Sequence, residues 1–365
     1  PCRLLCIRTV NLLSYQNRSH AFKWPVFVYG LLVSGGPSKM PMCEQSAVKP
    51  MRIPWRGIGI GILISVLPLP FVPAADRLVV LGFGVPVILV YMLLGDNDFT
   101  WLFDKSSLAA AATIAVFGTL LVTVGYELAV RTPIIPWRWG LLGAVVAGTV
   151  ALLAYGRDTE SPLVTDAMAI LLVWMPVEFK LLPVLPLPPS GRAINLIKLL
   201  MVPFLVWSVL MVRRWRSLGF DLNIGFGEVR IAVVAFVAFL VVGLPLALLV
   251  RFIHSSSSLP GLVEVIARMV VTWAFVALPE ELLFRGMIQG GLSKALRSPW
   301  AALVITSVIF GASHLDNPPN VWRYAMLATL AGVAYGWAYL KTGNVVTSSL
   351  VHMLVDWTWS VFFHG

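Results

Sequence analysis

The chain has 365 residues, of which 58% are hydrophobic and only 12% charged, with a mean hydropathy of +0.86. That balance excludes an ordinary soluble domain and indicates a polytopic helical membrane protein. The net charge of +10 does not indicate a nucleic-acid partner, because the basic residues fall mostly between apolar runs, where membrane topology puts them.

Residues 1–50 are mixed in character and begin with Pro1, with Met40, Met42 and Met51 as candidate starts. They read as an uncertain N-terminal extension to which no function is assigned. The run VFVYGLLVSGG at 26–36 is too short to span a bilayer and resembles part of a signal-like segment. Cys2, Cys6 and Cys43 lie in the first 50 residues without CxxC spacing. They support neither a disulfide framework nor a cysteine metal site.

From residue 51 the chain is a succession of apolar runs, near 57–73, 78–95, 108–126, 139–155, 163–179, 193–212, 231–250, 262–284, 300–315, 324–341 and 345–363. Each approaches the roughly 20 residues that cross a bilayer as helix. The fold class is therefore all-α, with about 10–11 transmembrane helices, since backbone groups in lipid must be satisfied internally. No period-two alternation suggests a barrel. Gly140, Gly143, Ala144 and Gly148 offer close helix approach. The proline-rich PVLPLPPSG at 183–191 predicts a loop.

The polar segment 213–230, with Arg213, Arg214, Arg216 and Arg230, is expected on the cytoplasmic side. It divides helices 51–212, of unassigned role, from a C-terminal unit at 213–365. Counting crossings from this segment places Glu280 nearer the outer face.

The C-terminal unit carries ionisable groups inside apolar runs, where they are costly and mark function. These are Glu280, Glu281, Arg285, His314, His352 and Asp356. Glu281 and Arg285 stand four apart on one helical face and are expected to pair. Glu280 points about 100° away and stays available. A turn is expected near residue 298. Glu280 then lies roughly 27 Å and His314 roughly 24 Å from it, at similar height in an antiparallel hairpin. His352 and Asp356, also four apart, come roughly 13–19 Å from a turn near 341–344, closer to the level of Arg285. An equally open reading makes Glu280, Glu281 and Arg285 a buried ion-pair cluster.

A sequestered carboxylate with imidazoles suits hydrolysis. Glu280 would take a proton from water, His314 would share that water, and His352 would donate to the developing oxyanion. No serine or cysteine is placed as a nucleophile, so attack by water is expected rather than a covalent intermediate.

Three motifs then coincide in order: EELLFR at 280–285, FGASH at 310–314 and HMLVD at 352–356. They resemble the EExxxR, FxxxH and third, His-containing motifs of the CAAX protease and bacteriocin-processing family of intramembrane glutamate proteases. The resemblance covers roughly 213–365. It implies that Glu280 and His314 activate water, that Glu281 and Arg285 orient the site, and that His352 and residue 356 bind the oxyanion. Asp356 departs from the Asn of prenyl-protein proteases. An ionised Asp cannot donate a hydrogen bond, so Asp356 is either protonated or orients His352.

The resemblance also implies metal-free catalysis with no cofactor. The expected partners are a membrane-associated peptide or protein substrate and the lipid bilayer. The expected location is multi-pass in a plasma (inner) membrane. A zinc or iron site built from Glu280, Glu281, His314, His352 and Asp356 is the alternative chemistry. A non-catalytic immunity or transport protein is the alternative class. WMPVEFKLLP at 174–183 echoes the glutamate motif, with Glu178 and Lys180 beside a proline. With no histidine helices after it, the echo reads as chance or as a second buried pair.

Overall fold

A computed structural model of the chain describes residues 53–364, apart from 102, 104, 133, 158, 160–163, 191–193, 216, 217, 256–258 and 316–319. The expectations for residues 1–50 and for the three cysteines lie outside the described residues.

Each apolar run folds as helix. In chain order these are α1 Trp55–Val66, α2 Ala74–Leu93, α3 Leu108–Val130, α4 Pro136–Tyr155, α5 Val164–Glu178 and α6 Leu196–Val212. There follow α7 Phe226–Leu249, α8 Leu262–Leu296, α9 Pro299–Ala312, α10 Val321–Thr342 and α11 Val345–Phe362. Five of them (α2, α3, α4, α7 and α8) are long and apolar enough to cross a membrane by length and composition, while α1, α6 and α9 are shorter apolar helices. The protein is an all-α polytopic membrane protein.

Local chemistry sets the boundaries. α1 stops at Val66 ahead of Pro68 and Pro70, neither of which can extend a helix. The expected turn at 298 is present. Arg297 takes the left-handed conformation, Ser298 caps α9 by accepting from the Ala301 N–H at 3.3 Å, and Pro299 begins the helix. The turn at 342–344 is also present. Gly343 is left-handed (φ 66°) and Asn344 caps α11 through the Val346 N–H at 2.8 Å. Gly219 holds this turn from across the fold. It has φ 69°, and a Cβ there would lie 2.3 Å from the Gly343 carbonyl oxygen, so only glycine fits.

Two short antiparallel pairs interrupt the all-helical expectation. β1 Pro186–Leu187 pairs with β2 Ile194–Asn195, which corrects the reading of 183–191 as loop alone. β3 His254–Ser255 pairs with β4 Phe363–His364.

Apolar packing joins helices on both sides of residue 213. One core runs from Ile64 and Met92 through Trp207 and Val212 to Leu278, Leu282 and Val345. A second surrounds Phe239, Phe284, Phe310, Tyr335 and Val355. Arg213 pins the junction. It is fully buried, meets Asp166 of α5 through Nε at 2.7 Å and Nη2 at 3.0 Å, and donates from Nη1 to the Thr159 carbonyl at 2.8 Å. Removing one member of a buried pair leaves the other charge uncompensated. Asp166→Ala is therefore expected to destabilise the fold by about 3–5 kcal/mol. Denaturant titration in mixed micelles measures this, and a cost under about 1 kcal/mol, the value of a surface pair, contradicts it.

Candidate active site

The site is built on α8, whose middle is not regular α-helix. Residues Trp273–Ala277 and Leu282–Gln289 form wide π-type turns on either side of Leu278–Glu281. Such turns recur at functional sites. They leave Glu281 with no exposed side chain, while Glu280 keeps 33% of its side chain exposed. The two adjacent carboxylates therefore have different surroundings.

Glu281 is a hub. Its Oε1 accepts from Arg285 Nη1 at 2.8 Å and faces His352 Nδ1 at 2.9 Å, and its Oε2 accepts from the Ser348 hydroxyl. Arg285, equally buried, donates from Nη2 to the Gly332 carbonyl at 2.9 Å. Its guanidinium lies over the rings of Phe310 and Tyr335, at 4.7 and 5.2 Å. A Cβ at Gly332 would come within 3.3 Å of Arg285 Nη2 and 3.2 Å of Ser307 Cα, so the close approach of α10 requires glycine there.

His352 stacks on Tyr335 at 4.5 Å with 15° between the rings. Its Nε2 lies 3.2 Å from Asp356 Oδ2 and 3.9 Å from Glu280 Oε2. Both ring nitrogens thus face carboxylates.

His314 follows the end of α9. Its Nδ1 is 2.8 Å from the Phe310 carbonyl oxygen, and its ring packs against Phe310 and Tyr324 at 4.8 and 4.6 Å. A carbonyl only accepts, so Nδ1 carries a proton, and in the neutral form of the ring the lone pair is on Nε2.

Glu280, His314, His352 and Asp356 all line one cavity of about 260 Å³, closed further by Tyr324 and Tyr335. Glu281 and Arg285 lie behind it. Four of the six residues singled out in the sequence therefore border one space, and the other two, Glu281 and Arg285, are buried beside His352 without lining it. The expected axial offset of His352 from Glu280 is absent. That estimate took a rise of about 1.5 Å per residue throughout, and 282–289 is wide-turned. Sequence reasoning missed Ser348, Tyr335, Tyr324 and Gly332. Ser348 had a signal, since it stands four residues before His352 on the same face of α11. The others had none.

Among the described residues no three His, Cys, Asp or Glu side chains converge with the spacing of a metal site. The echo at 174–183 does not form a second buried pair. Glu178 is half-buried and Lys180 exposed, and no bond joins them.

The fold and cavity define a polytopic membrane protein in which ionisable side chains of α8–α11 face a mostly apolar cavity. Residues 262–358 match the family model described as type II CAAX prenyl endopeptidase Rce1-like. The likeness to this family of CAAX prenyl endopeptidases covers that C-terminal segment alone, 97 of the 365 residues. The match spans α8, α9, α10 and most of α11, a narrower stretch than the 213–365 over which the motifs suggested a resemblance. Neither a curated protein nor a solved structure matches the chain.

Proposed function

We propose that the chain is an intramembrane endopeptidase that hydrolyses a peptide bond near or within the membrane, using water activated by Glu280 and His314. The observation that carries this reading is the single 260 Å³ cavity lined by Glu280, His314, His352 and Asp356. Glu280 and His314 do not hydrogen-bond to each other, and both border this space. A water between them donates one hydrogen to His314 Nε2 and the other to Glu280, leaving an oxygen lone pair directed at the substrate carbonyl. Glu280 takes the proton as the C–O bond forms and returns it to the leaving amine as the C–N bond breaks.

His352 Nε2, whose hydrogen faces Asp356 Oδ2 at 3.2 Å in the resting site, shares that hydrogen with the oxyanion as its charge develops. Asp356 orients that ring, the role its 3.2 Å contact supports. Glu281, held by Arg285 and Ser348, fixes the other face of the imidazole. We assign the protease unit to 213–365, with helices 51–212 as an added bundle.

Comparative peptidomics of membranes carrying the parent protein or the Glu280→Gln variant tests the reading. Peptides that accumulate only with the parent support it, and identical profiles contradict it. Because Glu280 and His314 activate water without a metal, cleavage is expected to survive exhaustive chelation. Loss of activity restored by zinc alone would instead support the metal-dependent alternative.

A further inference from the structure

The oxyanion side of the cavity is short of donors. The hydrogen on His352 Nε2 is already directed at Asp356 Oδ2, 3.2 Å away. Asp356, as a carboxylate, has nothing to donate, and its charge opposes a second negative charge formed beside it. An oxyanion there would be held by one shared hydrogen, whereas its stabilisation calls for preorganised donors aimed at the developing charge.

Tyr335 lies on that side. Its ring is stacked on His352, with centroids 4.5 Å apart and planes 15° apart. Phe310 packs edge-on to the same ring at 5.8 Å, and the Arg285 guanidinium lies 5.2 Å from its centroid. The residue is only 1% exposed, yet it lines the cavity with Glu280, His352 and Asp356. Its hydroxyl opens on that space and makes no hydrogen bond among the described residues. Asp356 is the carboxylate whose charge acts most on this hydroxyl, ahead of Glu281. Glu281 faces Nδ1 of His352 and Asp356 faces Nε2, so the hydroxyl belongs to the Nε2 side of the imidazole. Tyr324, the other tyrosine of the cavity, packs instead against His314 at 4.6 Å, on the side of the water.

We propose that Tyr335 is a catalytic residue whose hydroxyl is the second donor to the oxyanion, in place of the amide that Asp356 lacks. This rests on the protease reading. The hydroxyl keeps its proton throughout. As the water oxygen adds to the scissile carbonyl, the carbonyl oxygen takes the negative charge and accepts hydrogen bonds from Tyr335 and from His352 Nε2. Both bonds weaken when the C–N bond breaks and the C=O bond reforms.

The test measures binding to the full chain in nanodiscs of two uncleavable twelve-residue peptides of leucine, valine and alanine. One carries a central phosphinate, whose charged oxygens stand in for the tetrahedral oxyanion. The other carries a ketomethylene, with a neutral planar carbonyl. The parent is expected to bind the phosphinate at least about 100-fold more tightly, as enzymes bind transition-state analogues. Tyr335→Phe keeps the ring and its stacking. It is expected to cut the preference by about 10- to 100-fold, the range of a hydrogen bond to a charged group. Ketomethylene affinity and thermal unfolding stay at the parental values. Adding Asp356→Asn to Tyr335→Phe supplies an amide donor and restores most of the lost preference. A preference that survives Tyr335→Phe, equal loss of both peptides, loss in Tyr324→Phe instead, or no recovery with Asp356→Asn overturns the proposal. Failure of the protease reading shows separately, as identical peptide profiles from parent and Glu280→Gln membranes.

Discussion

Glu280→Gln lowers the rate of peptide hydrolysis by about 10²–10⁴, the range supplied by a positioned general base, while the protein stays folded. The amide is nearly isosteric with the carboxylate but cannot take a proton from water. Glu280 is the partly exposed member of the pair, and its Oε2 lies 3.9 Å from His352 Nε2. Little of the fold depends on its charge. Peptide cleavage in nanodiscs, beside thermal unfolding of the same samples, separates the two effects. Cleavage at the parental rate would remove Glu280 from the chemistry.

Glu281→Ala gives the opposite profile, with stability lost as well as activity. Its carboxylate receives Arg285, His352 and Ser348 with no exposed side-chain surface. Truncation leaves the Arg285 guanidinium buried with only the Gly332 carbonyl and two ring faces. The expected cost is about 3–5 kcal/mol, as for other buried pairs broken from one side. Denaturant titration in mixed micelles reads it. A Glu281→Ala protein as stable as the parent would show that the hub does not hold the site together. The contrast between neighbouring glutamates is the sharper result, because a mere buried ion-pair cluster would make both substitutions destabilising.

Much of this was legible in the sequence. Apolar runs marked the eleven helices named above, of which five are long and apolar enough to cross a membrane, and Ser298–Pro299 and Gly343–Asn344 marked the turns that bring α8 against α9 and α10 against α11. The four-residue spacing of Glu281 and Arg285 gave their ion pair. The exception within α8 was also its most consequential feature. Helical spacing already separated Glu280 from Glu281, but wide turns have no periodic signature, so the register that levels His352 with both could not be read. Ser348 and Tyr335 were hidden for another reason. A hydroxyl and an aromatic ring are unremarkable on apolar helices until a buried carboxylate and an imidazole are seen against them. The β1–β2 pair was missed because proline-rich segments signal the end of a helix but not what replaces it.

The most direct test of a shared catalytic water is a double-mutant cycle on Glu280 and His314. Cleavage rates are measured for the parent, Glu280→Gln, His314→Ala and the double variant in one nanodisc preparation. Groups that act as a unit on one water are strongly non-additive, so the double variant should be no slower than the slower single variant. A double variant slowed by the product of the two single factors would mean that the residues act independently, and this account of the site would be wrong.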